Sequence, residues 1–272
     1  MIAVKVTSES ILPSGLKVQT IEKGRGRKYL LTDERGSTEV PSVTTVLDIQ
    51  SKPALPWWGM KVGVAGVLSL IEDNILEIPD LGPVVSSTED VVSMLTENKL
   101  TVNHVLTDAG ERGTSVHDSF EEWCRLGALP ATDGAYSAYL GGLRSLLEGL
   151  NPYATVDFAE VHVASLEHGF AGRLDAIITV ADGCALMDKG QWVVDLKTSS
   201  GVYSSHHRQL AAYQYAADES GYCNPDGGYV FWVGKDGSWK VQRSHADFER
   251  DFLPALALWE SEQALKKWVR PC

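Results

Sequence analysis

One stretch, Gly172 to Tyr213, constrains the fold most, because it sets charge at the end of a strand that must otherwise be buried. Trp192 to Thr198 is apolar and β-branched, the pattern of a buried strand. Side chains alternate across a strand, so Asp195 and Lys197 share a face, with Leu196 between them. Phe170 to Val180 is a second strand of this kind and carries Asp175, and the turn Ala181-Asp182-Gly183 would lay the two strands side by side. Two carboxylates and an ammonium then converge. Such a trio suits a hard divalent cation with oxygen ligands, the lysine orienting or helping to deprotonate an attacking water and offsetting charge that builds up on phosphorus. Asp-x-Lys by itself also reads as a salt bridge at a strand end.

Upstream, Gly113 and His117 lie one turn apart in a helical stretch and so share a face. The glycine lets that helix press close to a sheet, which brings the imidazole within reach of a metal over the strand ends. The same histidine also fits a partly buried, hydrogen-bonded role. Gln209 and Tyr213 repeat the spacing on the helix that follows Lys197. In this order, Gly113 with His117, Glu160, Gly172 with Asp175, Asp195 with Lys197, and Gln209 with Tyr213 resemble the short motifs of the PD-(D/E)XK nuclease superfamily in its RecB-like branch. The match runs from Pro41 to Tyr215. Its opening, Pro41-Ser42-Val43-Thr44-Thr45-Val46-Leu47 before a tryptophan-bearing helix, is similar to the start of phage exonucleases and of the mitochondrial genome maintenance exonuclease.

The resemblance implies a restriction-endonuclease-like α/β fold: a mixed sheet flanked by helices, with an N-terminal β-hairpin and helical elaboration. It implies His117, Asp175, Asp195 and Leu196 at the metal, and Asp175, Asp195, Lys197 and Glu160 in catalysis. One or two Mg²⁺ or Mn²⁺ ions would be the cofactor. The partner would be DNA, single-stranded or at duplex ends, cut as an exonuclease would in phage or prophage DNA replication, recombination or repair. Gln209 and Tyr213 would face the nucleic acid. The basic helix start His206-His207-Arg208 adds Arg208 as a candidate phosphate contact, although polar residues there are also ordinary helix-start chemistry. Ser42 and Thr44 read either as helix caps or as phosphate contacts.

The formal net charge of -12 argues against coating nucleic acid by bulk electrostatics, but a metal site must itself be acidic before ions arrive. Glu72, Asp73, Glu77, Asp80, Glu89, Asp90 and Glu97 form an acidic tract, whereas Lys23, Arg25, Arg27 and Lys28, and later Lys266, Lys267 and Arg270, form basic clusters where DNA contact is expected. Cys124, Cys184, Cys223 and Cys272 contain no Cys-x-x-Cys pair, which excludes a zinc ribbon on spacing and argues against a disulfide framework. Members of the superfamily that hold an iron-sulfur cluster use one early cysteine and three clustered late ones. The late cluster is missing here, so no iron-sulfur cluster is expected. No segment approaches the roughly 20 apolar residues that span a bilayer, and Met1 to Ser10 lacks an apolar signal core. A cytoplasmic protein without membrane contact is expected.

Along the chain, residues 11–40 read as two or three short antiparallel strands with a turn at Asp33-Glu34-Arg35-Gly36. Ser42 caps a short helix, and a longer one spans Ala54 to Leu76, with Trp57, Trp58, Val62, Val64, Val67, Leu68 and Ile71 as a core face or, for the tryptophans, a base-stacking platform. Pro79 to Ser87 is a loop. Helices follow from Thr88, from Thr101 or Asn103 through His117 and Glu121, and over Asp133 to Leu150. Strands at Val156 to Ala164, Phe170 to Val180, Gly183 to Met187 and Gln191 to Thr198 precede a helix at His206 to Ala217, a hairpin around Lys235-Asp236-Gly237-Ser238 and a helix from Ala246 to Trp268. Residues 1–150 are expected to form an N-terminal hairpin and helical region, and residues 151–272 a nuclease core. A non-catalytic binding or assembly protein and a structure-specific endonuclease share these features. Cutting polarity, strand preference and oligomeric state have no signature in them.

Overall fold

The computed structural model describes residues 5–22, 27–50, 54–73, 88–266 and 268. Lys23, Arg25, Glu77, Asp80, the loop over Pro79 to Ser87, Lys267, Arg270 and Cys272 lie outside the described residues, as does the side chain of Arg27. The fold is α/β. The chain divides into two compact units, residues 1–50 with 115–272, and residues 51–114. The N-terminal strands, expected in a domain ending at residue 150, thus belong to the same unit as the later sheet.

That unit opens with a four-stranded antiparallel sheet in sequential order: β1 (Lys5–Ile11), β2 (Lys17–Glu22), β3 (Arg27–Asp33) and β4 (Gly36–Pro41). It is larger than the expected hairpin because a strand precedes residue 11. Asp33 makes the β3–β4 turn by accepting from the backbone N–H groups of Arg35 (2.8 Å) and Gly36 (3.2 Å), chemistry for which aspartate is preferred in turns. The alternating residues Val18, Tyr29, Leu31 and Val40 are buried and pack with Ala164 and Ala171 of the second sheet. A polar anchor fixes the join: the His162 ring is 2.7 Å from Ser10 Oγ and 3.2 Å from Thr20 Oγ1. Helix α1 (Val43–Leu47) follows at once, capped as expected by Ser42, whose Oγ accepts from Thr45 N at 3.0 Å.

In the second unit, α2 (Ala54–Glu72) packs on α3 (Thr88–Glu97) through Gly66, where a Cβ would stand 2.8 Å from Leu95 Cδ2. Trp57, Val64 and Leu68, expected in a core, are exposed. The apolar residues of α2 surround the whole helix, so the pattern selects no face, and contact at the small Gly66 decides which side is covered.

Helix α4 (Val102–Leu126), opened by Thr101, and α5 (Ser137–Leu150) lead into the second sheet. Its strands are β5 (Ala154–Ser165), β6 (Phe170–Val180), β7 (Gly190–Lys197), β8 (Gly227–Val233) and β9 (Trp239–Ser244), five in sequential order. All neighbours are antiparallel except β7 and β8, which are parallel and joined by the crossover helix α6 (Ser204–Glu219). Gly183 to Met187 is not a strand. Gly183 takes φ +73°, and Cys184 N–H closes on Met187 O at 2.8 Å, so the segment is a compact loop in the β6–β7 connection. The last helix begins as a π-helical turn at Phe248–Phe252, capped by Asp247, and continues as α7 (Leu253–Lys266). Two cores sandwich the sheet: Val116, Phe120 and Trp123 of α4 and the leucines of α5 on one face, and residues of α1, α6 and α7 on the other.

Candidate metal centre

The site lies where β6 and β7 part. The two strands pair from Val180↔Gly190 to Ala176↔Val194 and no further, while β7 continues beside β8 as far as Lys197↔Trp232. The earlier half of β6 meets the start of α1 instead, through a bridge between Ser42 and Ala171. At the fork the ladder acceptor for Leu196 N–H is lost, and a buried N–H needs a replacement. Asp175 supplies it, its Oδ2 accepting from Leu196 N at 2.7 Å.

Glu160 reaches the same point by an inversion of the pleat. Phe158 and Val161 both pack toward α6, although strict alternation would put them on opposite faces. Between them Glu160 adopts φ +53°, a left-handed conformation that a non-glycine residue takes at a cost of about 1–3 kcal/mol and that recurs at functional sites. Ala159 pairs with Ala176 and Val161 with Leu174, so Glu160 stands across from Asp175. His117 descends from α4 on the other side, its Nδ1 3.5 Å from Asp175 Oδ2. Ligand atoms of His117, Glu160 and Asp175 all lie within 4.8 Å of one another.

Asp195 and Lys197 share a face, as the alternation requires, and Lys197 Nζ is 2.7 Å from Asp195 Oδ2. The Asp195 side chain is 1% exposed. Burial raises its carboxyl, reinforced by Asp175 and opposed by the Lys197 ammonium. Glu160 is likewise pushed up to about 7, first by burial, then by Asp175, with Arg173 and His117 acting against the shift. Glu121, one turn beyond His117, is held by Arg125 at 2.6 Å and lies 4.0 Å from Arg173. Cys124 follows on the same helix face, its thiol raised by burial and by Asp175, Glu160 and Glu121, hence neutral.

Of the residues singled out in the sequence, His117, Glu160 and Asp175 gather their ligand atoms within 4.8 Å, while Asp195, raised in part by Asp175, has Lys197 Nζ 2.7 Å from its Oδ2. Leu196 contributes its N–H to Asp175 and buries its side chain in the core. Gln209 and Tyr213 are buried behind Asp195 rather than displayed at the surface, the Gln209 amide donating to the Tyr213 hydroxyl at 3.1 Å. Tyr213 also explains Gly172: a Cβ there would run into the tyrosine ring, so a glycine inside β6 admits close approach of α6. Ser42 is buried in its capping role, and Thr44, exposed, touches it at 3.0 Å. Arg208 donates to Gln50 Oε1 at 3.0 Å. His206, next to it but one, is pushed down to about 4 by burial and by Lys197, so a neutral imidazole stands on the lysine's flank.

The sequence reading did not single out Arg173. Its Nε lies 2.7 Å from Glu160 Oε2. The available signal was a charged residue in the midst of an otherwise buried strand.

Among described residues, no helix is long and apolar enough to cross a membrane. No family model matches the sequence. No curated protein matches it either. Among solved structures, the crystal structure of SSO0001 is similar at 16% identity, covering 77% of this chain and 88% of that chain with a TM-score of 0.33.

Two ligand atoms on one Mg²⁺ ion, at bonds of about 2.0–2.1 Å, stand roughly 2.9 Å apart when adjacent and 4.2 Å when opposite, so the three groups, whose ligand atoms lie within 4.8 Å of one another, must draw together on the ion. One imidazole and two carboxylates suit Mg²⁺ or Mn²⁺. The residues fit.

Proposed function

We propose that this protein is a divalent-cation-dependent nuclease that hydrolyses phosphodiester bonds in DNA, working as an exonuclease with Mg²⁺ or Mn²⁺. The observation that carries the reading is the fork itself: Asp175 joins the His117–Glu160 group on one side to the strand of Asp195 and Lys197 on the other. A structural salt bridge explains Asp195 with Lys197, but it does not explain two further acids and an imidazole gathered at a strained strand position beside it.

His117, Glu160 and Asp175 would hold the cation, which when bound supplies Lewis-acid polarisation of a phosphoryl oxygen and a lowered water pKa. The protein's own contribution is electrostatic and positional. Glu121, Glu160, Asp175 and Asp195 outnumber Arg125, Arg173 and Lys197, so once Glu160 is ionised, above about pH 7, the site carries excess negative charge for a cation to neutralise. Asp195 aims Lys197, whose Nζ lies 2.7 Å from its Oδ2, so that the ammonium can orient water and meet negative charge developing on the phosphoryl group. His206, neutral beside Lys197, does not compete with it for an anion.

The test is incubation of the pure protein with end-labelled single- and double-stranded oligonucleotides, with Mg²⁺, with Mn²⁺ and with EDTA. Mononucleotide release that requires Mn²⁺ and disappears in Lys197→Ala is expected, since removing one such electrostatic group costs about 10²–10³ in rate. Undiminished cutting by Lys197→Ala, or none by the wild type with either cation, would overturn the reading.

A further inference from the structure

Glu160 is a ligand candidate on a strained backbone, and the strand geometry alone does not hold it there. An L-residue at φ +53° inside a strand relaxes toward the extended region unless its surroundings prevent it. One side chain touches both ends of the residue: Arg173 Nε lies 2.7 Å from Glu160 Oε2 and 3.2 Å from the Glu160 carbonyl oxygen. The same guanidinium extends toward Glu121 Oε2 at 4.0 Å. Arg173 pairs in register with His162, so it reaches back along β5 by two residues to make these contacts. It lies within the Gly172-Arg173-Leu174-Asp175 segment that also delivers Asp175.

We propose that Arg173 is a positioning residue: it clamps the backbone and carboxylate of Glu160 in the left-handed turn and thereby presents that carboxylate to the divalent cation. The inference rests on the metal-site reading and adds the element that shapes the site. A guanidinium is suited to the task because its planar fork has a fixed geometry, whereas an ammonium on a flexible stem keeps the charge but not the angle. With Glu160 Oε2 held by Arg173, the other carboxylate oxygen is the one left for the cation. Residues that orient a metal ligand in this way are worth about 10–100-fold in metal affinity.

The experiment is a Mn²⁺ titration of the full chain, free ion being followed by electron paramagnetic resonance, in wild type, Arg173→Lys and Arg173→Gln. The Arg173 side chain is 41% exposed, so neither substitution opens the core. Circular dichroism and the urea midpoint in EDTA check that each variant is folded, and Arg173→Lys alone carries the test if the glutamine variant is not. Both variants are expected to bind Mn²⁺ about 10–100-fold more weakly, with lysine giving no rescue. Wild-type binding matched by both variants overturns the clamp and leaves the metal site standing. The same result with weakened oligonucleotide binding would make Arg173 a phosphate contact instead. A wild type that binds no Mn²⁺ removes the metal reading, and the clamp with it.

Discussion

Replacing Asp175 by asparagine and, separately, by alanine distinguishes its two duties. Both substitutions delete the negative charge, so relief of repulsion from Glu160 and Asp195 is common to the two and cancels when they are compared. What differs is the acceptor for Leu196 N–H, which the asparagine amide oxygen can still provide and alanine cannot. The Asp175 side chain is 11% exposed, so water does not readily take its place. A buried donor left unpaired costs about 1–3 kcal/mol, and Asp175→Ala should therefore be less stable than Asp175→Asn by that amount. Urea denaturation in EDTA at pH 7.5 measures the difference directly, with Mn²⁺ titration expected to show loss of binding in both. Equal stability, or a more stable alanine variant, would mean that the fork between β6 and β7 is not closed by this carboxylate, and the account of how the site is built would fail.

Glu160 gives a pH signature, because its carboxyl is raised from 4.5 to about 7 on folding, mainly by burial. The native state then binds the proton more tightly than the unfolded chain, so the contribution to stability is full below 4.5 and lost as pH rises through about 7. The urea midpoint of the metal-free protein should fall across that window less in Glu160→Gln than in wild type, and identical slopes would refute the assignment. Gly172→Ala should cost about 1–3 kcal/mol through overpacking against Tyr213. Gly141→Ala, on α5 with nothing within 4 Å, should be neutral or stabilising by about 0.4–1 kcal/mol. Thermal melts decide both, and a harmless Gly172→Ala would show that the ring is not pinned. Tyr213→Phe removes the acceptor of the Gln209 amide and should lower stability by about 0.5–1.5 kcal/mol, a loss that an unchanged melting curve would exclude.

The strands that build the site were legible because a continuous apolar, β-branched run is a local property. Phe170–Val180 falls where the pattern puts it, and Asp195 and Lys197 share a face because alternation forces them to. The ends of the pattern were harder. Gly183 to Met187 is apolar enough for a strand, but its glycine turns it into a loop. On α2 the apolar residues have no preferred side, so burial was decided by a partner helix that period cannot name. Glu160 joins His117 and Asp175 through its positive φ, a single backbone torsion that inverts one pleat and carries no compositional mark. Arg173 was hidden for the same reason, since its role exists only through that inversion.

The join between the two sheets has a kinetic consequence. Ser8 and Ser10 bond to a histidine 154 and 152 positions later in the chain. Contacts so distant in sequence close long loops whose entropy is spent before any contact rewards it, which slows folding. The apolar face of Val18, Tyr29 and Leu31 has no counterpart to cover it until the β5–β6 hairpin has been made. At synthesis rates of about 5–20 residues per second, the interval between emergence of Pro41 and emergence of Ala171 is on the order of ten seconds. For that time the nascent chain carries an open apolar sheet.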